Sequence, residues 1–113
     1  MARLDPHSQL PLTPVVLHIL LALSEGERHG YAIAQEITET TGGQVPIGPG
    51  TLYGSIQRML TASLIEEADE DDRRRYYRMT AFGRRVLELE LGRLADVVRL
   101  ARERHLLRDP RTA

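Results

Sequence analysis

The stretch from Gly48 to Leu60 reads G-P-G-T-L-Y-G-S-I-Q-R-M-L, and the rest of the chain can be placed around it. Its opening Gly-Pro-Gly predicts a turn, because glycine admits positive φ and proline fixes φ. Thr51 is a preferred N-cap residue type, so a helix is expected to follow. Apolar residues then recur at helical spacing and predict one buried stripe, formed by Leu52, Ile56, Met59 and Leu60.

The opposite face of this helix carries hydrogen-bond donors and no acid, namely Tyr53, Ser55, Gln57 and Arg58. A short helix with one core face and one neutral-to-basic donor face suits insertion into a groove of DNA. A surface helix with ordinary solvated polar residues explains the same pattern equally well. This stretch alone leaves both interpretations open.

Composition limits the function classes. The chain has 113 residues, which predicts one domain, or one domain plus a long helix. The formal net charge of -1 gives no general affinity for nucleic acid, so DNA binding would need a local basic face. All 15 basic residues are arginine, and there is no cysteine for a disulfide or a thiolate zinc site. No signal peptide or membrane span is expected, which predicts a cytoplasmic protein.

The first part of the chain predicts a flexible arm over residues 1–12 and then two helices. Thr13 and Pro14 form a helix start, an N-cap residue followed by proline at the first helical position. The following apolar run predicts a helix buried on most sides, and a second helix is expected from Tyr31 to about Thr41. Gly42 and Gly43 end that second helix.

Two short strands are predicted after the third helix, over Leu64 to Asp69 and Arg75 to Met79, joined by a polar turn. Three helices followed by a β-hairpin form the layout of a winged helix-turn-helix domain, with the hairpin as the wing. The predicted fold class is therefore mainly α (α+β), with this domain over residues 13–80. Tyr76 and Tyr77 are expected to point to opposite faces of their strand.

A long C-terminal helix is predicted from Ala81 to about Leu107, capped by Thr80, within a dimerisation segment over residues 81–108. The small domain can cover only its first turns, so the remaining apolar side chains need a partner. A second copy of this helix is the simplest partner, and folding back onto its own domain is the alternative. Residues 109–113 are expected to fray. The predicted dimer seam has heptad spacing and consists of Leu87, Leu91, Leu94, Val98, Ala101 and His105.

Several separate stretches resemble the PadR family of transcriptional regulators. They are L-L-A-L at Leu20, H-G-Y at His29, G-P-G-T-L-Y at Gly48, L-I-E at Leu64, and R-R-Y-Y-R-M-T from Arg74 followed by Gly83. The resemblance covers roughly residues 14–100. It implies a homodimeric winged-helix repressor whose partner is a pseudo-palindromic operator in double-stranded DNA. It also implies a dimer contact through the C-terminal helix, often with the first helix.

The sequence departs from the family pattern at three places. Gly54 stands where family members commonly carry proline, and Ser63 stands where they commonly carry glycine before the Leu-Ile pair. Ser63 must then accept or avoid a left-handed helix cap. Some relatives bind flat drugs between aromatic residues of the dimer helix, whereas this helix has only Phe82. A small-molecule effector is therefore left without an assigned site or identity.

Seven residues are predicted to contact DNA. On the recognition helix, Ser55 and Arg58 would reach bases or adjacent phosphates, and Thr51 and Tyr53 would bind phosphate through their hydroxyl groups. At the wing tip, Arg73, Arg74 and Arg75 would flank the backbone or enter the minor groove. Two alternatives stay open: half of the Tyr53 ring is buried, and nearby acids from Glu66 to Asp72 neutralise the arginines. Tyr31 is expected to pack in the core rather than to contact phosphate.

Catalysis is not expected. The four histidines have no metal-ligand spacing, and no serine or histidine has a convincing orienting acid. The glycines at Gly48 and Gly50 lack the rest of a nucleotide-binding loop, and no cofactor is predicted. The sequence thus predicts a DNA-binding regulator, with a winged-helix protein-interaction module that does not bind DNA as the alternative.

Overall fold

The structure is a computed structural model, and it describes residues 5–68 and 74–108. Within these residues the helices are α1 (Pro14–Leu23), α2 (Gly30–Thr41), α3 (Pro49–Thr61) and α4 (Ala81–Glu103). The strands β1 (Arg28–His29), β2 (Ile65–Glu67) and β3 (Tyr76–Met79) form one antiparallel sheet in the order β1-β3-β2. Three helices, a hairpin and a long final helix follow in the predicted order, so the winged-helix fold class is confirmed.

The start of α1 forms as the sequence predicts. The hydroxyl oxygen of Thr13 accepts a hydrogen bond from the N–H of Val16 at 3.3 Å, and Pro14 occupies the first helical position. The helix buries Ile19, Leu20, Ala22 and Leu23. Together with the buried faces of α2, α3 and the first half of α4, these residues form one hydrophobic core.

The segment before α1 is more ordered than a flexible arm. Pro6–Gln9 form a short 3-10 helix, which Asp5 caps by accepting a hydrogen bond from the N–H of His7 at 3.0 Å. Leu10 and Leu12 pack against the core. The backbone N–H of Leu12 also donates to the Glu90 carboxylate at 2.7 Å, so the described part of this segment is tied to α4.

Strand β1 was not predicted. It is only two residues long and pairs with β3, with Arg28 opposite Tyr77 and His29 opposite Tyr76. Two residues are too short to show the alternation by which a strand is recognised in a sequence. Because β1 leads directly into α2, this pairing fixes the start of α2 beside the wing.

Helix α3 begins earlier than the sequence predicts. Gly48 is the N-cap and Pro49 is the first helical residue, so the prediction of Thr51 as N-cap is wrong. The fixed φ of proline suits the first helical position, where its missing N–H is not needed. At the other end Ser63 adopts a left-handed φ of 63°, and the N–H of Leu64 donates to the carbonyl of Met59 at 2.9 Å.

Two residues of the predicted dimer seam, Leu87 and His105, do not lie on the exposed surface of α4. Leu87 is only 4% exposed and belongs to the core of its own domain, so it is not available to a partner. His105 lies beyond the end of the helix, which stops at Glu103, and it has a left-handed φ of 60°. The N–H of Leu106 closes this end by donating to the carbonyl of Ala101 at 2.9 Å.

The described part of the chain contains no helix that is long and apolar enough to cross a membrane. The second half of α4 is apolar only along part of its surface. In this helix, all of whose residues are described, no side chain after Glu90 is buried.

Candidate nucleic-acid interface

The outer face of α3 presents polar side chains above a buried apolar stripe. Leu52, Ile56 and Met59 are at most 3% exposed, as the sequence predicts. On the other side Tyr53 is 52% exposed. Three further exposed side chains, Thr51, Gln57 and Arg58, accompany it, and the helix contains no acid. The helix therefore presents hydrogen-bond donors to solvent without a nearby carboxylate of its own.

Ser55 is not on this exposed face, and its predicted exposure is wrong. The residue is 1% exposed, because it lies three positions after Leu52 and one before Ile56, within the buried stripe. Its hydroxyl oxygen accepts a hydrogen bond from Nη2 of Arg58 at 3.1 Å. Ser55 therefore orients Arg58 and does not itself face solvent.

Gly30 and Tyr53 lie in close contact between α2 and α3. A Cβ added to Gly30 would lie 2.8 Å from the Tyr53 hydroxyl oxygen, so only glycine lets the ring approach this closely. The ring is thus covered on one side and open on the other, and the half-buried alternative for Tyr53 agrees with its 52% exposure. Tyr31 is 69% exposed, so the expectation that it packs in the core is wrong.

A cleft of about 440 Å³ separates this pair of helices from the wing. His29 lines this cleft and caps α2, because its Nδ1 accepts a hydrogen bond from the N–H of Ala32 at 3.1 Å. The His29 ring stacks on Tyr31 with centroids 6.4 Å apart and meets Tyr76 edge-on at 5.5 Å. Seven residues line the cleft: His29, Gly30, Tyr31, Tyr53, Arg74, Arg75 and Tyr77.

The wing arginines have different environments. Nη1 of Arg74 lies 2.8 Å from Nε2 of His29, at the cleft. Nη1 of Arg75 lies 3.5 Å from Glu67, and this exposed ion pair matches the alternative in which nearby acids neutralise the arginines. Arg73 lies outside the described residues. Both Arg74 and Arg75 thus line the cleft, and Arg75 is also paired with an acid.

Strand β3 separates its two tyrosines as the sequence predicts. Tyr77 is 5% exposed and lies in the core, where burial raises the pKa of its hydroxyl group, whereas Tyr76 is only partly buried. Arg78 lies on the outer face, and hydrogen bonds to Glu66 at 3.0 Å and Glu27 at 3.4 Å raise the pKa of its guanidinium. Arg78 is thus held by acids on the wing.

The sequence pattern did not identify His29 and Gly30 as residues that line the cleft. The H-G-Y triplet carried a family resemblance but no predicted contact, although a histidine before a helix can cap it through a ring nitrogen. Its approach to the wing depends on β1, and the close contact of Gly30 depends on α3 packing. Neither interaction leaves a periodic signal in the sequence.

Helix α4 leaves an apolar surface exposed beyond its buried half. Leu91 is 39% exposed, and Leu94, Val98 and Ala101 are partly buried at heptad spacing. Beside them Val97 and Leu100 are 52% and 45% exposed. Four of the six predicted seam residues therefore remain on the helix with partly or largely exposed side chains.

Among residues 5–68 and 74–108, no group of three or more histidine, aspartate or glutamate side chains is placed to hold a metal ion. The cleft contains tyrosines, a histidine and arginines, which suit hydrogen bonding to an anion.

The family model described as the transcriptional regulator PadR-like family matches residues 19–89, which run from the second half of α1 through α2, α3 and the sheet to the first part of α4. The chain belongs to the PadR-like family. The resemblance predicted from the separate sequence stretches is therefore confirmed. Those stretches lie on α1, at the start of α2, on α3, on the wing and at the start of α4.

Two curated relatives are themselves described as uncharacterised. A protein in transposon TN4556 of Streptomyces fradiae is 38% identical over 77 residues, which are 68% of this chain and 22% of that protein. The chain thus spans about a fifth of this relative's length. Protein X of Lysinibacillus sphaericus is 32% identical over 90 residues, which are 76% of this chain and 80% of that protein.

Solved structures show the same fold. RosR of H. salinarum, in the complex hsRosR-S4, is 28% identical with a TM-score of 0.72, over 81% of this chain and 79% of that one. A PadR family regulator of Clostridium difficile R20291 is 22% identical with a TM-score of 0.70, over 80% and 97%. Bacillus subtilis PadR in complex with operator DNA is 20% identical with a TM-score of 0.64, over 70% and 47%.

Proposed function

We propose that this chain is a homodimeric winged-helix repressor that binds a pseudo-palindromic DNA operator. The observation that carries the proposal is the exposed, acid-free face of α3, with Thr51, Tyr53, Gln57 and Arg58 above a buried stripe. Side chains of these types donate hydrogen bonds to base edges and phosphate oxygens in the major groove. That Bacillus subtilis PadR forms a complex with operator DNA supports the same use of the shared fold.

Three of the exposed α3 residues and one wing arginine have distinct roles in this proposal. Arg58, held by Ser55, reaches base edges or the adjacent phosphate. Thr51 lies in the first turn of α3, where the N–H groups of the helix end favour a phosphate, and no side chain caps this end. Tyr53 adds its hydroxyl beside them. Arg75 exchanges its exposed Glu67 partner for phosphate, since such exposed ion pairs contribute little stability.

Dimerisation follows from the apolar surface of α4, which pairs with the same surface of a second copy. Repression is the mode that the family resemblance implies, by blocking access to a promoter. A small-molecule effector would relieve it by binding one dimer geometry better than another and so changing the spacing of the two α3 helices.

The test is a binding titration with the DNA that lies upstream of the protein's own coding sequence. The native chain should bind at low salt, and Arg58→Ala should weaken binding about tenfold, the usual cost of losing a base or phosphate contact. Arg99→Ala is the matched control, because Arg99 is an exposed arginine on α4 that pairs with Asp96. Equal affinity of native and Arg58→Ala chains would remove Arg58 from the interface.

A second candidate function is a winged-helix module that docks a protein and does not bind DNA. The pairing of Arg75 and Arg78 with acids favours it, because these contacts reduce the positive charge of the wing. Failure of the native chain to bind any duplex at low salt would support this module and contradict the repressor.

A further inference from the structure

Helix α3 has one line of residues that lies directly opposite its buried stripe. Residues that follow one another at intervals of four, three and four positions lie on one side of a helix, which turns by roughly 100° per residue. The buried side chains of Leu52, Ile56 and Met59 define the inner side of α3. The outer line, on the opposite side, consists of Gly50, Gly54, Gln57 and Thr61.

The first half of this outer line has no side chains. Neither Gly50 nor Gly54 has a positive φ, so the backbone does not require glycine at either position. Beyond its two chain neighbours, a Cβ at Gly50 would meet no side chain of the described residues within 4 Å. A Cβ at Gly54 would approach Nη1 of Arg58 at 3.5 Å, an ordinary van der Waals distance. Glycine costs helix stability relative to alanine, but it is the usual residue where a backbone approaches a ligand closely.

Gln57 is the first residue of the outer line that carries a side chain, and it is exposed. Its amide presents a donor and an acceptor in one plane, which is the arrangement that pairs with N6 and N7 of adenine in the major groove. Thr61 follows on the outer line, and its hydroxyl donates to the backbone carbonyl of Gln57 at 3.1 Å. The hydroxyl proton of Thr61 is therefore used within the helix, which leaves Gln57 as the residue of this line equipped to read a base edge.

We propose that Gln57 reads one adenine in each operator half-site, and that the bare backbone at Gly50 and Gly54 lets α3 lie deep enough in the major groove for this contact. The groove is about 12 Å wide and a helix with its side chains is about 10–12 Å across, so side chains on the outer line limit its depth. Tyr53 and Arg58 lie on either side of the outer line, toward the phosphates of the groove walls. This inference rests on the proposed DNA binding and adds a residue that determines sequence preference.

The first test compares base preferences. The native chain, Gln57→Ala and Gln35→Ala each select duplexes from one pool with a randomised central segment. The native chain should select A·T at one fixed position of each half-site, and Gln57→Ala should weaken that preference about tenfold, as loss of a bidentate base contact does, while it keeps the others. Gln35→Ala is the matched control and should keep every preference, because Gln35 is an exposed glutamine on α2 beside Glu36 and Glu39.

The second test separates the depth of α3 in the groove from the stability of the helix. Gly54→Ala replaces glycine inside a helix, so it should raise the urea concentration at the midpoint of unfolding. The same variant should bind the duplex selected by the native chain about fivefold more weakly, the factor for about one lost hydrogen bond, because the added methyl group holds α3 away from the bases. Gly92→Ala makes the same change in α4, at a position with open space, and should raise the midpoint without changing affinity.

Arg58 offers another route for the effect of Gly54→Ala, because the new Cβ would contact its guanidinium. The same substitution is therefore repeated in an Arg58→Ala chain. A fivefold loss that persists there supports the close approach of the helix backbone. A loss that disappears shows that the methyl group acts through Arg58, and it would overturn the role of the two glycines.

The remaining outcomes distinguish this inference from the function on which it rests. If the native chain selects no duplex, the proposed DNA binding fails, and the role of Gln57 with it. If the native chain selects a sequence and Gln57→Ala selects the same one with equal strength at every position, only the role of Gln57 is overturned. Loss of a preference for G·C in Gln57→Ala would overturn adenine as the base that Gln57 reads.

Discussion

At the scale of single residues, two polar side chains lie buried on helix faces that the pattern of apolar residues defines. Ser55 lies on the same face of α3 as the buried Leu52 and Met59. Glu90 lies on the same face of α4 as the buried Val86 and Leu87. Both polar side chains are 1% exposed. Each lies three to four positions from its apolar neighbours, so helical geometry alone places it on the buried side. The polarity of Ser55 had instead predicted an exposed position. Both are tolerated inside because an arginine of the next turn donates to them.

Gly83 is a residue whose substitution should damage the fold directly. A Cβ at this position would lie 2.0 Å from the backbone oxygen of Leu64, which cannot move without shifting the start of β2. We expect Gly83→Ala to lower the free energy of unfolding by about 1–3 kcal/mol or more, as overpacking does. Urea unfolding at one fixed protein concentration measures this loss.

Gly92→Ala provides the matched control for Gly83→Ala, because it makes the same change in the same helix. No atom lies within 4 Å of the position that a Cβ would take at Gly92. Alanine should therefore stabilise α4 by about 0.5–1 kcal/mol, the usual gain over glycine inside a helix. Equal stabilities of the two variants would contradict the close contact between Gly83 and Leu64.

At the scale of elements, the sequence predicted those features that short local signals specify. Thr13 and Thr80 cap their helices through the side-chain hydrogen bonds expected of them, and the double glycine ends α2. Strand β1 and the N-terminal 3-10 turn escaped prediction, because each is held by a distant partner, β3 or α4. Most of the exposed donor face of α3 was predictable from periodicity, with Ser55 as the exception. The cleft around His29 was not, since it needs three elements to be packed first.

The contact between the N-terminal segment and α4 depends on Glu90, and it should make stability depend on pH. A hydrogen bond from Arg93 lowers the pKa of the Glu90 carboxyl below its ordinary 4.5, against the effect of burial, and the N–H of Leu12 adds to the lowering. The unfolded chain therefore binds a proton at higher pH than the folded chain. The stabilisation is complete above the ordinary pKa and is lost as pH falls through the lowered one.

We expect Glu90→Gln to cost about 1–3 kcal/mol near neutral pH, because a charged hydrogen-bond acceptor is lost from a buried position. The difference in unfolding free energy between native and variant chains should shrink below the ordinary pKa. Glu88→Gln, an exposed carboxylate on the same helix, is the control and should show little difference. A native-to-variant difference that is constant from neutral to acidic pH would contradict a role for Glu90 ionisation.

At the scale of the whole molecule, α4 connects the proposed dimer to the proposed DNA contact. Its 23 residues span about 34 Å at 1.5 Å per residue, and no side chain in its second half is buried within the protomer. Pairing of two such helices would place two copies of α3 in a fixed relation. A duplex presents successive major grooves on one side about 34–36 Å apart, so the dimer determines whether both copies bind at once.

Placing acids on the apolar surface of α4 should therefore separate dimerisation from folding. Leu94→Glu with Val98→Glu puts carboxylates into the predicted seam, where like charges and lost apolar burial oppose pairing of the two helices. We expect the double variant to be a folded monomer by light scattering, with an unchanged helical circular dichroism spectrum. Gly92→Glu adds an acid off the seam, at a position with no atom within 4 Å, and should remain dimeric.

DNA binding by the same variants tests whether binding to two half-sites depends on pairing of the α4 helices. The native dimer should bind a duplex carrying two half-sites, obtained by selection from a random pool, far more tightly than a duplex carrying one. The Leu94→Glu, Val98→Glu monomer should bind both duplexes with similar weak affinity, because its recognition helix is intact and only the link between two copies is lost. Inserting about half a helical turn between the half-sites should weaken the native dimer to the same level. A native monomer in solution, or tight two-site binding by the acidic variant, would show that α4 does not join the two DNA-binding domains.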